Sequence, residues 1–406
     1  MMSNLPMTLI TDILSRLAVK PLLRFRCVSK PWCALIDDPD FIRLHLNRSI
    51  KAKSNLSLIL RDCYISSVNF NSLDNVIELD HPLKCPEFGT EVLGSCDGSI
   101  CLYNGQEDVC IWNPSTRNHR NLPITPIEFP DYFTFCQYII YGFGYDSLTD
   151  DYKLVRMIQF YGDDWDSFDS EVKVYSLKSN SWRRIQDFPY YLRYKRGYGV
   201  LVGSALHWVV SRKYESDTAN LVAAFDLTDE KYRLVPQPEF SDKDFHMNVG
   251  ELDGCLCILC NYVQVCFDMW VMNDYGVKES WTKLFSIAQP QVIGSFEFVT
   301  PLAYWKSGRE VLLVQDNKKL IWYDLDHKKV KNIKIHGLPE YFETEMCVES
   351  LVPLKGGGET NGKKQNEQEN KKKNQKKNGK KSSWVTSSVV DIAGVQELGY
   401  LFAYTL

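Results

Sequence analysis

The hydrophobic pattern of residues 1–45 predicts short helices. Pro21 and Pro31 interrupt the pattern, and each fits the first turn of a new helix, where a missing N–H costs nothing. We therefore predict three helices of two to three turns. A unit of this size has too small a core to be stable alone, so it must pack against the rest of the chain or against a partner. Five apolar residues fall on one face of the first helix: Leu9, Ile10, Ile13, Leu14 and Leu17.

The pattern changes to short β-rich runs in residues 55–353, and a loose repeat is visible there. Each copy has an apolar pair, a turn-forming Asn, Ser or Asp, a polar turn and a second short strand. The copies recur about every 50 residues, which is typical of kelch-type propeller blades. The clearest copies are IWNPSTRNHRNL (111–122), VYSLKSNSWRRI (174–185), AFDLTDEKYRLV (224–235) and IWYDLDHKKVKNI (321–333).

The sequence therefore predicts a mainly β protein with a small N-terminal α module and a kelch-like β-propeller of about six blades. Strands that carry glycine, around Gly94, Gly199 and Gly250, suit the crowded centre of such a ring. A pair of stacked β-sheets is the alternative architecture, and it fits the strand content but not the repeat spacing.

Motifs that would carry chemistry are weak. Cys257 and Cys260 form a lone CxxC in a predicted strand, where their thiols point to opposite faces, so we expect ordinary buried cysteines. GFGY (142–145) lacks the βαβ context of a dinucleotide site and predicts a turn. The sequence has no HExxH and no GxSxG. We predict no catalytic residues, no metal, no cofactor and no enzyme activity.

Composition narrows the class of protein. The chain has 406 residues, of which 44% are apolar, and a net charge of −4, so no nucleic-acid partner is expected. No run of about eighteen apolar residues occurs, so no membrane span is expected. The thirteen cysteines follow no secretory signal, which favours reduced thiols in the cytoplasm and nucleus.

Residues 355–383 are lysine-rich, with ten lysines against three glutamates. This composition predicts disorder, and the tract serves either as a nuclear import signal or as a solvated spacer. Residues 384–406 are apolar again and form a C-terminal tail of uncertain structure. The sequence leaves open whether the tail is a docked strand or poorly ordered chain.

The stretch LPMTLITDILSRLAVKPLLRFRCVSKPWCALIDDPDF (5–41) resembles an F-box, the adaptor-binding helical module of cullin-based ubiquitin ligases. It departs from plant members at Ala18, where Pro is usual, and at Pro21, where Ser is common. The resemblance implies an F-box over residues 1–45 that binds a Skp-type adaptor and, through it, cullin and RING subunits. The implied adaptor-binding residues are Leu5, Pro6, Leu9, Ile13, Leu14, Leu17, Pro21, Leu22, Leu23, Val28 and Trp32, with Trp32 supporting the helices from behind.

Residues 55–353 resemble the plant F-box-associated domain. The matching blocks are IWNPSTR (111–117), YGFGYDSLTDDYKLVR (141–156), EVKVYSLKSNSWRRI (171–185) and LDGCLCILCNY (252–262). The resemblance implies a non-catalytic substrate receptor of a Skp-cullin-F-box ubiquitin ligase that acts in plant defence, with an immune receptor as its protein target. Two alternatives remain: an F-box scaffold that acts outside ubiquitylation, and a propeller that binds sugar or acts as an enzyme.

Two segments are predicted to bind the target because they exceed the length of a tight hairpin and carry interface residues: 161–170 and 188–198. Loops on a rigid scaffold vary without disturbing the core, and Tyr, Trp and Arg dominate interface energy. An alternative is that the tyrosines pack between blades. The candidate target-binding residues are Trp165, Phe168, Tyr190, Tyr191, Arg193, Tyr194 and Arg196.

Overall fold

The computed structural model describes most of the first 354 residues. The described ranges are 6–85, 89–105, 108–130, 135–161, 168–193, 198–212, 220–240, 245–288, 296–305 and 307–354, with the backbone alone at 135–138 and 161. The lysine-rich tract at 355–383 and the tail at 384–406 lie outside the described residues, so the predictions about them stay predictions.

Four helices precede the first strand within the described residues: α1 Met7–Leu14, α2 Val19–Phe25, α3 Lys30–Ile36 and α4 Pro39–Lys51. Pro21 and Pro31 lie in the first turns of α2 and α3, as predicted. The prediction of three helices missed α4 as a separate element. Its start has a clear physical cause, since the Asp38 side chain accepts the N–H groups of Asp40 and Phe41 at 2.9 and 3.2 Å.

The helices share a small buried core. It contains Leu14, Val19, Leu22, Ile36 and Phe41, together with Leu351 from the far end of the described chain. We call the four helices and this core the helical module.

Six antiparallel sheets follow in the described chain, and we call them blades 1 to 6. Blade 1 contains β1 Leu56–Arg61, β2 Ile65–Asn69, β3 Ile77–Glu78 and the last strand, β25 Glu343–Val348. Blade 2 contains β4 Glu91–Cys96, β5 Ser99–Tyr103, β6 Val109–Trp112 and β7 His119–Asn121. Blade 3 contains β8 Phe135–Asp146, β9 Asp151–Tyr161, β10 Phe168–Ser176 and β11 Ser181–Arg184.

The remaining blades are built the same way. Blade 4 contains β12 Tyr191–Leu192, β13 Val200–Val202, β14 Ala205–Ser211, β15 Leu221–Asp226 and β16 Tyr232–Val235, and both β12 and β13 pair with β14. Blade 5 contains β17 His246–Leu252, β18 Cys255–Tyr262, β19 Cys266–Met272 and β20 Trp281–Ala288. A short 3-10 helix at Lys278–Ser280 directly precedes β20. Blade 6 contains β21 Val299–Tyr304, β22 Glu310–Gln315, β23 Lys319–Asp324 and β24 Lys329–Asn332.

The innermost strands form a closed ring. In order they are β25, β4, β8, β13, β17 and β21, and each contacts the next, with β21 returning to β25. Blade 1 closes the ring because it joins three strands from the start of the propeller to one from its end. The predicted β-propeller of about six blades is therefore confirmed.

Buried apolar clusters fill the space between neighbouring blades. One joins Leu60 and Phe70 of blade 1 to Val314 and Leu320 of blade 6, and comparable clusters occupy the other blade junctions. Both faces of each sheet are thus covered by neighbours, which explains the near-continuous apolar runs in the second and third strands.

The sequence repeat corresponds to the hairpin between the third and fourth strands of a blade, for example β6–β7 and β23–β24. The strands that contain or directly follow these glycines, β4, β13 and β17, are innermost, as predicted. The prediction of a turn at GFGY (142–145) is wrong, because these residues lie in β8. A Cβ on Gly142 would lie 2.6 Å from Leu206 Cδ1, so close packing against blade 4 explains the glycine there.

The CxxC cysteines behave as predicted. Cys257 and Cys260 lie in β18, are free thiols, and belong to different clusters on opposite faces of the sheet. Among the residues that the structure describes, no helix has both the length and the apolar character needed to cross a membrane.

Candidate functional site

Helix α1 has an apolar outer face. Pro6, Leu9 and Ile13 follow one another at helical spacing, and Leu9 and Ile13 are 51% and 53% exposed. Val28, in the turn after α2, is 61% exposed. An apolar surface on such a small helical module is the kind of feature that marks a protein-binding site.

The other predicted adaptor-binding residues lie deeper. Leu14 and Leu22 are 2% and 0% exposed, so they form the core of the helical module and offer no surface to a partner. Leu17, Pro21 and Leu23 are half-buried. The adaptor contact that we propose below therefore rests on the exposed residues alone. Leu5 lies outside the described residues.

Trp32 supports the helices from within the module, consistent with the role predicted for it. Its half-buried ring makes an edge contact with Phe25 at a centroid distance of 5.6 Å. Its backbone N–H donates to Ser29 Oγ at 3.3 Å, which caps the start of α3.

The helical module lies at one end of the propeller. Lys53, after α4, forms an ion pair with Asp253 at 3.1 Å, and Leu46 of α4 packs in the cluster between blades 2 and 3. Asp253 is in a turn between the first and second strands of a blade. We call this end the hairpin face, because the turns between first and second strands and between third and fourth strands lie there.

The opposite end is the loop face. The connections from second to third strands, and those from each blade to the next, lie at this end of the propeller. Both predicted target-binding segments belong to it. Segment 161–170 joins β9 to β10, and segment 188–198 leads from blade 3 into the innermost strands of blade 4.

The structure brings the two segments together. The rings of Phe168 and Tyr191 lie 4.1 Å apart between centroids. The prediction that both residues occupy loops is wrong, because Phe168 begins β10 and Tyr191 begins β12. Tyr191 is buried, so its ring packs between blades, as the alternative interpretation predicted.

The neighbouring tyrosine is also held in place. Gln159, which is fully buried, donates to the carbonyl oxygen of Tyr190 at 2.7 Å and accepts the N–H of Leu192 at 3.1 Å. Tyr190 and Arg193 are half-buried. Trp165, Tyr194 and Arg196 lie outside the described residues, so the structure leaves their predicted roles as predictions.

Three aromatic residues on the loop face were missed by sequence analysis. Tyr64, Phe129 and Tyr341 are each more than half exposed, and all three lie in connections of the loop-face type. Lysine ammonium groups lie over two of the rings: Lys318 Nζ is 4.7 Å from the Tyr341 centroid and Lys84 Nζ is 5.8 Å from that of Tyr64. Once the repeat is aligned, aromatic residues in these connections are a signal that could have identified them.

A charged network fixes the connection that carries Phe129. Arg156 Nη2 contacts Glu171 Oε1 at 2.6 Å, and Arg156 Nη1 donates to the carbonyl oxygen of Thr125 at 2.7 Å. Glu128 pairs with Lys173 at 2.7 Å, and this lysine lowers the pKa of Glu128. The backbone beneath Phe129 is therefore anchored to blade 3, which presents the ring on a rigid support.

Within the described residues, no group of three or more His, Cys, Asp or Glu side chains is arranged to hold a metal ion. The outstanding features are instead two separated candidate surfaces: the exposed apolar residues of the helical module and the exposed aromatic residues of the loop face.

Family models agree with both parts of the chain. Residues 2–44 match the F-box domain, and residues 56–351 match the F-box associated beta propeller domain. The chain is a member of the F-box protein family. Proteins of this class are generally non-catalytic, and the F-box is in general a domain that binds Skp-type adaptors.

Curated relatives cover most of this F-box protein. It is 43% identical over 381 residues to the F-box protein CPR1 of Arabidopsis thaliana, with 89% of this chain and 92% of the relative covered. F-box protein At4g22390 of the same plant is 35% identical, covering 89% and 94%. The F-box/kelch-repeat protein At3g23880, also from Arabidopsis thaliana, is 30% identical, covering 79% and 88%.

Proposed function

We propose that this F-box protein is the substrate-recognition subunit of a Skp-cullin-F-box ubiquitin ligase. The helical module would bind the Skp-type adaptor, and the loop face would bind the target. The protein would form no bond itself, and it would raise the effective concentration of target lysines beside the charged ubiquitin-conjugating enzyme.

The observation that carries the proposal is the position of the two surfaces. The helical module contacts the hairpin face through Leu46, and Lys53 directly after α4 adds an ion pair there, whereas the connections with exposed aromatic residues are on the loop face. A receptor needs this separation, because adaptor and target must be bound at the same time.

The first test replaces the exposed residues of α1. Apolar interface anchors are each worth about 2 kcal/mol, or roughly thirtyfold in affinity. The double variant Leu9→Asp and Ile13→Asp should therefore lose co-purification with a Skp-type adaptor while keeping its fold, because both side chains are exposed. The matched control is Val265→Asp, an exposed apolar residue on the loop face. Normal adaptor binding by the double variant would contradict the proposal.

Co-purification of cullin distinguishes a ligase subunit from a scaffold that acts outside ubiquitylation. A ligase subunit should co-purify with adaptor and cullin together. Recovery of the adaptor without any cullin, under conditions where a known F-box protein retains both, would favour the scaffold.

The target is best sought by affinity purification with the proteasome blocked. The double variant of α1 is a better comparison than deletion of residues 1–45, since deletion also removes Phe41 and Ile42, which pack in the module and against the propeller. Proteins that accumulate on wild type and the variant alike, but are ubiquitylated only with wild type, are candidate targets. A role in plant defence, with an immune receptor as target, rests on the sequence resemblance alone.

The proposal includes a location in the cytoplasm and nucleus. Lysine clusters at residues 371–373 and 376–377 support nuclear import. Imaging a fluorescent fusion that lacks residues 355–383 tests this. A lower nuclear-to-cytoplasmic ratio is expected, and an unchanged ratio would leave the tract as a spacer.

A further inference from the structure

The chain continues past β25 into the helical module. Residues 349–354 follow β25 at the hairpin face, and Leu351 is buried beside Leu14 and Leu22. Val352 and Leu354 pack in the cluster that contains Leu46 of α4. This short segment, which we call the 349–354 segment, therefore contacts the helical module and the propeller together.

Asn113 of blade 2 holds the 349–354 segment. Its side chain is fully buried, and Nδ2 donates to the carbonyl oxygens of Ser350 and Val352 at 3.2 and 3.1 Å. Ser350 Oγ in turn donates to the carbonyl oxygen of Asp97 at 2.6 Å. The fit is close, because a Cβ on Gly98 would lie 2.4 Å from Ser350 Oγ and 2.4 Å from the Val348 carbonyl oxygen.

The same turn in other blades shows what the amide group of Asn113 adds. Asn113 Oδ1 accepts the N–H groups of Ser115 and Thr116, which caps the turn between β6 and β7. At the equivalent positions in blades 4 and 6, Asp226 and Asp324 cap their turns through a carboxylate oxygen. An oxygen is therefore sufficient for the turn, and the NH₂ group of Asn113 serves the 349–354 segment.

We propose that Asn113 is a positioning residue: by binding the 349–354 segment, it fixes the helical module in one orientation on the propeller. Leu351 transmits this constraint, since it belongs to the core of the module. The significance for ubiquitylation rests on the proposed function, because a fixed module would hold the loop face at a constant distance from the adaptor.

Ion pairs alone would not fix the orientation. Lys53–Asp253 and Arg43–Asp150 also join the module to the propeller, at 3.1 and 4.0 Å. In the Arg43–Asp150 pair both side chains are largely exposed, and surface pairs of this kind contribute little. Buried contacts through Leu351 and buried hydrogen bonds from Asn113 are stronger constraints, because an unmade hydrogen bond in the interior is costly.

The decisive variant is Asn113→Asp in the full chain. It keeps an oxygen to cap the turn, but it places a carboxylate against the carbonyl oxygens of Ser350 and Val352. The matched control is Asp324→Asn, the reverse change in the equivalent turn of blade 6. Amide hydrogen exchange should become about tenfold faster in the 349–354 segment and in α2 to α4 of Asn113→Asp, and stay unchanged in the control.

A merely structural role of Asn113 would give a different result. Loss of the turn cap would speed exchange in the β6–β7 hairpin and leave the helices unchanged, and this outcome would overturn the proposal. If Asn113→Asp fails to fold, Leu351→Ala provides the test. It should speed exchange in the helices while the β6–β7 hairpin stays protected, and wild-type exchange in the helices would contradict the proposal.

A second measurement reports orientation directly. A carbodiimide should join Lys53 to Asp253 in the wild type and in Asp324→Asn, because their side chains lie 3.1 Å apart. The yield of this cross-link should fall several-fold in Asn113→Asp, and a wild-type yield would count against the proposal. Adaptor pull-downs on the same samples keep the two proposals distinguishable, since wild type that fails to bind adaptor refutes the proposed function and leaves the orientation result standing.

Discussion

Arg61 of β1 and Glu343 of β25 form a two-point ion pair, with an Nη2–Oε1 distance of 2.6 Å and an Nε–Oε2 distance of 3.1 Å. The two residues are directly opposite in the register that closes blade 1. The pair therefore joins the start of the propeller to its end at the loop face.

Removal of this pair should destabilise the ring. Arg61→Leu is expected to lower the free energy of unfolding by about 1–2 kcal/mol, because the pair is two-pronged and partly shielded from water. Melting temperature measures the effect. The matched control is Arg309→Leu, which removes an exposed pair with Asp326 at 3.8 Å and should change stability by less than about 0.5 kcal/mol. Equal shifts for the two variants would show that closure does not depend on the pair.

The adjacent α1 residues Ile13 and Leu14 should respond to alanine substitution in opposite ways. Leu14→Ala removes a buried side chain and should cost about 2–5 kcal/mol of stability. Ile13→Ala, at an exposed position, should leave the melting temperature nearly unchanged and weaken adaptor binding instead. Thermal melts and pull-downs on the same samples separate the effects. An Ile13→Ala variant that melts early with normal adaptor binding would contradict the assignment of inner and outer faces.

Lys153 is expected to be critical for the junction of blades 3 and 4. It contacts the fully buried Asp146 at 3.0 Å and Glu230 at 3.3 Å. Hydrogen bonds from Thr149, Lys153 and Thr228 overcome the desolvation of Asp146 and keep its pKa well below the usual range. Lys153→Met should therefore cost about 3–5 kcal/mol, since it leaves a buried carboxylate without its cation.

Two further variants make this test specific. Lys153→Met combined with Asp146→Asn should recover part of the loss, because the uncompensated charge is gone. Lys178→Met removes an exposed lysine that pairs with Asp150 at 3.6 Å and should have little effect. Failure of the double variant to recover any stability would show that the packing of Lys153, rather than its charge, is what blades 3 and 4 require.

Glu345 should make stability depend on pH. This residue of β25 accepts the Ser95 hydroxyl at 2.9 Å, and burial raises the pKa of its carboxyl to about 7 from an ordinary value of 4.5. The folded protein therefore holds this proton more tightly than the unfolded chain. Its contribution to stability is complete below pH 4.5 and is lost as the pH rises towards 7, by up to about 3 kcal/mol.

Glu345→Gln removes the titration and keeps an acceptor for Ser95. The variant should melt higher than wild type at pH 8 and close to wild type at pH 4.5. Exposed Glu279→Gln is the control and should melt like wild type at both values. A stability difference for Glu345→Gln that is the same at both pH values would refute the assignment.

Local patterns predicted the parts of the fold that local physics determines. The β6–β7 hairpin was visible because Asn113 and the polar turn after it recur in other blades. Innermost strand β8 was mistaken for a turn at GFGY, because the requirement for Gly142 comes from Leu206 in the next blade. Sequence spacing carries no information about such a contact.

The candidate site, too, was predicted from the sequence only where local patterns determine it. The apolar character of α1 predicted a binding surface, but helical spacing alone did not separate exposed Ile13 from buried Leu14. Phe168 and Tyr191 were selected for their residue type, and they meet because β10 and β12 both begin at the loop face. The burial of Leu351 among the helices could not be predicted, since it depends on the ring closing first.

Ring closure by β25 has a consequence for synthesis on the ribosome. The partner strand of β1 and the residue that completes the core around Leu22 are both made after the strands of the other five sheets. At about 5–20 residues per second, the nascent chain waits about 15–60 s for them. During that time the unpaired edge of β1 and the apolar residues of the helices are open to chaperones, so the ring and the helical core can be completed only after β25 and residues 349–354 have been translated.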